Sequence, residues 1–164
     1  LMLTAAHVAS IDSDESPLLA NHKRVKILKI DSLNDIALLE VDIPCPCIPV
    51  GDVPDVDTQA YLVGYPVINQ VGNQILTEGR IMGLMHSKTE DGADETTTPN
   101  RIVATTPAAP GNSGGGLFVV SNGQWVLAGI LVSISGTTIA GMFPALLSHL
   151  SHSVDPVTIK RFLK

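Results

Sequence analysis

Cysteine is scarce in this chain of 164 residues, which contains two. Cys45 and Cys47 are separated by one proline, which places them poorly for a bridge to each other, and the chain offers no other cysteine as a partner. A disulfide framework is therefore excluded, as is a zinc site built from four cysteines. We expect both cysteines to be small buried apolar residues in an extended segment.

Basic clusters and long apolar runs are also lacking. The formal net charge is -6, and nucleic-acid binding draws its affinity from clustered Lys and Arg, so no nucleic-acid partner is expected. No apolar run approaches the roughly 18 residues that span a bilayer, so no membrane span is predicted. No targeting signal is visible, and because Leu1 already lies in a strand-like segment, the true start of the protein is expected upstream.

Apolar residues are nevertheless abundant, at 45% of the chain against 16% charged. That balance predicts one packed domain and excludes disorder as a description of the whole. The apolar residues come in short runs broken by Gly, Pro, Asn and Asp, which predicts an all-β barrel or sandwich. The candidate strands are Val25–Ile30, Ile36–Val41, Gln59–Gly64, Ile75–Leu84, Arg101–Thr106, Gly116–Val120, Trp125–Ser133 and Thr138–Phe143.

Turn and helix signals fall at a few positions. Ser121–Gln124 contains an Asn-Gly pair, which predicts a tight hairpin turn. Helix is expected only near the C-terminus, over Ala145–Leu150 and over Val157–Lys164, the second with Asp155 as its N-cap. The polar, acidic, Thr-rich stretch His86–Asn100 is predicted to be a long surface loop. Pro44–Asp57 is the best candidate for a crossover between two sub-barrels.

The segment Pro110–Leu117, with the sequence PGNSGGGL, carries the clearest chemical signal. A serine hydroxyl is a poor nucleophile unless a base takes its proton and donors bind the resulting oxyanion. The glycines on both sides of Ser113 let the backbone turn tightly, so that amide groups converge on one spot beside an exposed hydroxyl. The segment therefore indicates acyl transfer, with a plain glycine-rich hairpin as the alternative.

Two further segments supply a base and an acid. His7 follows a short apolar stretch, where a histidine can act as a general base near neutral pH, although a core or surface histidine is equally consistent with that position alone. Asp35 precedes the apolar strand Ile36–Val41, and a buried carboxylate needs a partner such as the Nδ1–H of a histidine. The order His, Asp, Ser is that of the chymotrypsin-like fold and differs from that of subtilisins and α/β-hydrolases.

Taken together, the three segments resemble the motifs of trypsin-like serine peptidases. Thr4–Val8 resembles the TAAH box, Asp35–Leu38 the DIAL box and Gly111–Gly115 the GDSGG box. Asn112 in the second place of that last motif, preceded by Pro-Gly, resembles the HtrA (DegP-like) variant, as do the compact intervals between the three boxes. The resemblance covers nearly the whole chain.

The resemblance implies a trypsin-like double six-stranded β-barrel, all-β, with a C-terminal helix. It implies a serine endopeptidase with His7 as base, Asp35 orienting it and Ser113 as nucleophile. The amides of Gly111 and Ser113 would form the oxyanion hole, with Asn112 holding the loop between them. The substrate-binding residues that it implies form the base and wall of the primary pocket: Pro107, Ala108, Ala109, Pro110, Val132, Ser133 and Ile134.

The resemblance also sets the expected organisation and partners. Residues 1–50 would be the remainder of a first barrel, 51–143 the second barrel and 144–164 a C-terminal helical segment. The earliest strands of the first barrel are expected upstream of Leu1, and no PDZ module is expected after the C-terminal helix. The partner is a polypeptide substrate, with a homo-oligomer left open, and no metal or organic cofactor is required. An HtrA-like protein would be extracytoplasmic.

Other functions remain open at this stage. The first is a non-catalytic relative, such as a virion or scaffold protein, that keeps the fold for binding. The second is an esterase or other acyl transferase that uses the same site. The His86–Asn100 loop resembles in position a regulatory loop of HtrA-like proteases, so it is a candidate for control of activity.

Overall fold

The computed structural model describes residues 1–12, 18–20, 22–44, 47–67, 73–86, 100–135 and 149–164. The chain folds mainly into β-strands. Its elements in chain order are β1 Met2–Thr4, α1 Ala6–Ala9, β2 Leu19–Ala20, β3 Lys23–Arg24, β4 Lys26–Asp31, β5 Ile36–Glu40, β6 Gln59–Gly64, β7 Ile75–His86, β8 Asn100–Ala104, β9 Gly116–Ser121, β10 Gln124–Ile134, β11 Ser151–Val154 and α2 Pro156–Phe162.

The strands β6 to β11 close into a barrel in the order β10-β11-β8-β7-β6-β9. All neighbouring pairs run antiparallel. Alternate residues of each strand face the interior, because successive side chains of a strand point to opposite faces. The resulting core contains the buried residues Ala60, Leu62, Ile81, Ile102, Ala104, Ala108, Leu117, Val119, Ala128 and Leu131.

A smaller three-stranded antiparallel sheet, in the order β1-β5-β4, packs beside the barrel. The cluster that joins the two contains Ala5 and Ile36 from the sheet region and Val132 and Val154 from the barrel. Burial of these apolar side chains on both sides holds the sheet against the barrel. The contact matters for the site, because the segments of His7 and Asp35 come from the sheet and that of Ser113 from the barrel.

The all-β fold class is confirmed, and so are two predictions of local structure. Asn122 and Gly123 both have positive φ, 51° and 76°, as the predicted tight hairpin turn requires. Asp155 caps α2 by accepting hydrogen bonds from the backbone amides of Val157, at 2.9 Å, and Thr158, at 3.2 Å. Within residues 1–50, the described strands form an open sheet and a two-stranded ladder, so the closed barrel is the second of the two expected.

Several predictions on local structure are wrong. The predicted C-terminal helical segment, 144–164, includes the barrel strand β11, whose polar residues Ser151 and Ser153 are buried between β8 and β10. The short helix α1 lies near the N-terminus, where none was expected. Cys47 is exposed rather than buried.

Other predicted features lie beyond the part of the chain that the structure describes. They are Cys45, the strand Thr138–Phe143, the helix Ala145–Leu150 as far as residue 148, and all but the two ends of His86–Asn100. His149 and Leu150, the last two residues of that predicted helix, are described and are not helical.

Candidate active site

His7 and Asp35, 28 residues apart in sequence, meet through two hydrogen bonds. The backbone N–H of His7 donates to Oδ1 of Asp35 at 2.9 Å, and Nδ1 of its ring lies 2.8 Å from Oδ2. The carboxylate therefore holds both the main chain and the ring of the histidine. With the ring proton on Nδ1, the lone pair of Nε2 is left to accept a proton, and the His7 side chain is 48% exposed.

Local structure explains how each of the two is presented. His7 lies on the single turn α1, whose flanking Ala6 and Ala9 are buried. Asp35 has a φ of +54°, a left-handed conformation that aspartate tolerates better than most residues. It ends a turn that Asp31 stabilises by accepting hydrogen bonds from the backbone and side-chain amides of Asn34, at 3.0 and 2.7 Å.

The pKa of Asp31 reflects that turn. Burial raises it, but the hydrogen bonds from Asn34 and Leu33 and the charge of Lys29 together bring the pKa below its ordinary value. Asp31 is therefore ionised at neutral pH, and its carboxylate holds the turn that leads into Asp35.

The loop around Ser113 contains both hydrogen-bonded and free backbone amides. Those of Asn112, Gly114 and Gly115 donate to the carbonyl oxygens of Ala109, Leu131 and Asn112, at 3.1, 2.8 and 2.9 Å. In the described part of the chain, the amides of Gly111 and Ser113 donate no hydrogen bond. Two free donors on either side of the same peptide turn, next to a serine hydroxyl, are what an oxyanion hole requires.

Strand β10 holds this loop in place. Gly114 donates to Leu131, and Leu131 donates back to the carbonyl of Gly115 at 2.8 Å. Gly111 and Gly114 adopt positive φ, 95° and 82°, which a residue with a Cβ adopts only under strain. Asn112 is buried at 4% exposure, and its side chain packs against Gly64. The loop is therefore shaped by its glycines and by pairing with β10.

Ser113 lines a cleft of about 780 Å³ between the sheet and the barrel. A volume of this size is in the range of ligand-binding clefts. Thr4, three residues before His7, lines the same cleft and lies directly beside Gly114. The His7 segment and the Ser113 loop are thus in contact, but within the described residues no hydrogen bond joins the Ser113 hydroxyl to the His7 ring. The remaining walls come from Met2, Leu3, Ala20, His22, Ile43, Val63, Gly64, Tyr65, Gln74, Gly111, Asn112 and Gly115.

The residues predicted for the primary pocket differ in their exposure. Ala108 and Ala109 are buried, at 2% and 6%, and Thr77 donates to the carbonyl of Pro107 at 2.8 Å. Val132 is buried in the cluster that also contains Ala5 and Ile36, the neighbours of the candidate base and acid. Pro107 and Ile134 are half-buried, and Pro110 and Ser133 are exposed. Their role in binding substrate stays a prediction.

Sequence reasoning missed three contributors to the site. Thr4 was read only as part of a motif, although its side chain packs against Gly114. Leu131 acts through its backbone, for which a sequence carries no signal. Asp31 holds the turn before Asp35, and its Asp-Ser-Leu-Asn context is a recognisable turn signal.

Within the described residues, no group of three or more His, Cys, Asp and Glu side chains could hold a metal ion. His152 has its Nε2 2.6 Å from Oγ of Ser135.

No helix in those same ranges is long and apolar enough to cross a membrane.

A test of the loop geometry is the variant Gly114→Ala. Its Cβ would overlap Oγ1 of Thr4, in addition to the strain of the positive φ. Gly123→Ala is the matched control, because Gly123 has a similar φ of +76° but nothing within 4 Å of an added Cβ. We expect Gly123→Ala to cost about 1–2 kcal/mol of unfolding free energy and Gly114→Ala roughly 1–3 kcal/mol more. Urea unfolding measures both, and equal losses would contradict the contact with Thr4.

Comparison with known proteins finds one matching family and several solved structures with a similar fold. Residues 1–130 match the family described as a trypsin-like peptidase domain. A mutant of Rv3671c from M. tuberculosis, in its inactive form, superposes with a TM-score of 0.71 at 20% identity, over 98% of this chain and 74% of that one. The active form of the same protease gives 0.70 at 20% identity, over 98% and 66%.

A variant of the HtrA-type protease AlgW with a tripeptide gives a TM-score of 0.70 at 19% identity, over 98% of this chain and 50% of that one. The chain therefore spans half of that protease and about three quarters of the first. At such identities the likeness concerns the fold alone. Comparison with curated proteins gave no match.

Proposed function

Because the chain belongs to the trypsin-like peptidase domain family, we propose that it is a serine endopeptidase in which His7, Asp35 and Ser113 form the catalytic triad. The observation that carries the proposal is the double hydrogen bond from His7 to the carboxylate of Asp35, at 2.9 and 2.8 Å. That arrangement orients the imidazole and supports its use as a base through Nε2.

The reaction follows from the roles of these groups. Oγ of Ser113 attacks the scissile carbonyl carbon while Nε2 of His7 takes the hydroxyl proton, and the carbonyl oxygen becomes an oxyanion. When the tetrahedral intermediate collapses, the C–N bond breaks and the amine leaves with the proton held by His7. Water then attacks the acyl-enzyme by the same two proton transfers and releases the acid.

The free amides of Gly111 and Ser113 support the same proposal. They would donate to the oxyanion, whose negative charge is absent from the ground state and develops on the carbonyl oxygen as Ser113 attacks. One such donor is typically worth about 10²–10³ in kcat. Because the loop is already tied to Leu131 and Ala109 by backbone hydrogen bonds, these donors need no rearrangement when the charge forms.

The test of the function is covalent labelling of the wild-type protein with a fluorophosphonate, followed by peptide mapping of the modified residue. Labelling at Ser113, together with hydrolysis of unfolded casein, is the expected result. Modification of a different residue would show that the nucleophile is misassigned.

A second candidate is a non-catalytic relative that keeps the cleft for binding. The observation that favours it is the missing hydrogen bond between Ser113 and the His7 ring in the described part of the chain. In catalytic sites without substrate this contact is often long and tightens only in the complex, so it does not decide the matter by itself. Failure of Ser113 to react with the fluorophosphonate, in protein that melts cooperatively, would favour this candidate.

The specificity prediction is cleavage after small or medium aliphatic residues. Selection of Lys or Arg needs a carboxylate at the pocket base, because a buried cation without a partner is costly. The predicted base, Pro107–Pro110, contains no acid, and the wall Val132–Ile134 is mostly apolar. We expect cleavage after Val, Ala, Ile or Leu, with discrimination of only about 1–3 kcal/mol per methylene. Profiling on a peptide library measures it, and dominant cleavage after Lys or Arg would contradict the pocket assignment.

A further inference from the structure

The β6 extension, residues 64–67, follows strand β6 and lies against the candidate oxyanion loop. The backbone N–H of Val67 donates to the carbonyl of Pro110 at 2.9 Å. A Cβ added to Gly111 would lie 2.8 Å from the carbonyl oxygen of Tyr65 and 2.7 Å from the backbone nitrogen of Val67. The main chain of the β6 extension is therefore in contact with the residue that carries one of the two free amides.

The barrel topology determines on which side of Ser113 the β6 extension lies. Strand β9 begins at Gly116, which pairs with Val63 of β6 on one side and with Ile130 of β10 on the other. Both neighbours run antiparallel to β9, so beyond these pairs each continues past the start of β9 and flanks the serine loop. The β6 extension is thus on one side of Ser113, and the end of β10 is on the other.

The two sides would receive different parts of a substrate. The end of β10, Val132–Ile134, is the predicted wall of the pocket for the residue before the scissile bond. Ser113 attacks the carbonyl carbon of that residue, so the leaving amine points away from that wall. A peptide that lies extended across the serine loop therefore places the residue after the scissile bond, called P1′, on the side of the β6 extension.

Tyr65 is the side chain that the β6 extension contributes to the cleft. It lines the same cleft as Ser113 and is 57% exposed, whereas the next residue, Pro66, is buried. Within the described residues, no hydrogen bond or ring contact holds the Tyr65 side chain, while the ring of Tyr61, earlier on β6, packs against Trp125 at 4.9 Å between centroids. The Tyr65 ring is therefore a large apolar surface that is free to contact a ligand.

The surroundings of Tyr65 in the cleft are apolar or uncharged. Val63, Ile43 and Gln74 line the cleft with it, and no Asp, Glu, Lys or Arg does so among the described lining residues. Gln74 is close to Tyr65, because the residues next to each, Ile75 and Gly64, pair in the β6–β7 ladder. A charged side chain of the substrate would lose water here without gaining an ion partner, which is costly. The surface therefore suits an apolar or aromatic residue.

We propose that Tyr65 forms the wall of a subsite for the P1′ residue and that this subsite selects apolar or aromatic P1′ residues. This inference rests on the proposed function, because the subsite holds the group that leaves during acyl transfer. It concerns the opposite side of the scissile bond from the aliphatic preference predicted for the primary pocket, so the two preferences are measured separately.

Competition between water and added amino-acid amides for the acyl-enzyme tests the subsite. The amine nitrogen of the amide attacks the acyl carbon and forms a C–N bond, the ester bond to Oγ of Ser113 breaks, and Nε2 of His7 passes the amine proton to that oxygen. This step is the reverse of acylation, so the amide occupies the place of the leaving amine. The ratio of amide product to acid product does not depend on how much of the enzyme is active.

The acyl donor is a peptide ester with alanine before the scissile bond. The competing amines are the α-amides of phenylalanine, leucine, glycine, aspartate and arginine, at a mildly alkaline pH that leaves their amino groups unprotonated. The product ratio is measured for the wild type, Tyr65→Phe, Tyr65→Ala and Tyr65→Asp. Tyr61→Ala is the matched control, because it removes a tyrosine of the same strand that does not line the cleft.

We expect the wild type to favour the phenylalanine and leucine amides over the glycine amide by roughly tenfold, and the aspartate amide to react no better than glycine. Tyr65→Phe should retain the preference, and Tyr65→Ala should reduce it to about threefold or less. Tyr65→Asp should improve the arginine amide relative to the phenylalanine amide by roughly threefold over the wild type, an effect that mere loosening of the loop would not produce. Tyr61→Ala should keep the wild-type ratios.

Equal ratios for all the neutral amides in the wild type would overturn the inference. So would an unchanged preference in Tyr65→Ala, or an equal loss in Tyr61→Ala. Failure of the proposed function gives a different result, because the wild type would then convert the ester no faster than Ser113→Ala, with neither acid nor amide formed, and the inference would fall with it.

Discussion

Replacement of Ser113 by alanine is expected to abolish fluorophosphonate labelling and to lower peptide hydrolysis by roughly 10⁶-fold. In the proposed mechanism the hydroxyl oxygen of Ser113 forms the acyl bond, so no other group in the site can take its place. The amides of Gly111 and Ser113 remain in the variant, because alanine keeps its backbone N–H. A small residual rate over water, on the order of 10³–10⁴-fold, would therefore persist.

The control for this variant is Ser121→Ala, at an exposed serine at the end of strand β9. It should be labelled and should hydrolyse peptide at the wild-type rate. Both variants should unfold at the wild-type temperature, because neither removes a hydrogen bond that the structure describes. Labelling of the Ser113 variant at a rate comparable to the wild type would show that the nucleophile lies elsewhere.

Asp35→Asn is expected to reduce kcat by about 10⁴-fold with a smaller change in KM. The asparagine amide donates where the carboxylate accepts, so its NH₂ group can bond to Nδ1 only when the ring proton has moved to Nε2. In that tautomer Nε2 carries a hydrogen and cannot accept the proton of Ser113. The change is isosteric, and it leaves one side-chain oxygen to accept the backbone N–H of His7.

Asp42→Asn is the matched control, since Asp42 is 92% exposed and, among the described residues, its carboxylate pairs only with Lys23, at 2.7 Å. An exposed pair of this kind contributes little to stability. Kinetics of both variants at several pH values, with thermal unfolding alongside, separate a tautomer effect from a loss of fold. A loss of less than about tenfold in Asp35→Asn would argue that His7 is not the base.

The features that the sequence predicted correctly are those encoded locally. The Asn-Gly turn at residues 122 and 123 follows from the positive φ that both central positions need. Asp155 followed by Pro156 predicts the start of a helix, because the aspartate side chain can cap the first turn without help from other elements. The glycines around Ser113 indicated a tight turn because only glycine adopts φ near +90° without strain.

The strand β11 was missed because its signal is not local. Ser151 and Ser153 are polar, and in sequence they read as a solvated connection. In the fold they are buried, and the hydroxyl of Ser151 finds a partner 2.6 Å away in Thr106, 45 residues earlier. For Ser151, the hydrogen bond that makes a polar strand interior acceptable comes from another element, whereas Oγ of Ser153 has no partner among the described residues.

By itself, the sequence determined the chemical types of the candidate site: a histidine, an aspartate and a serine in one order, with glycines where the backbone must turn. Tertiary structure alone decided what those groups do to one another. The packing of the sheet on the barrel brings the His7 segment to the Ser113 loop, and pairing with Leu131 holds that loop while two amides stay free. The two hydrogen bonds from His7 to Asp35 join residues that are 28 positions apart in sequence. Charge interactions depend on distance in space, and only the folded chain sets those distances.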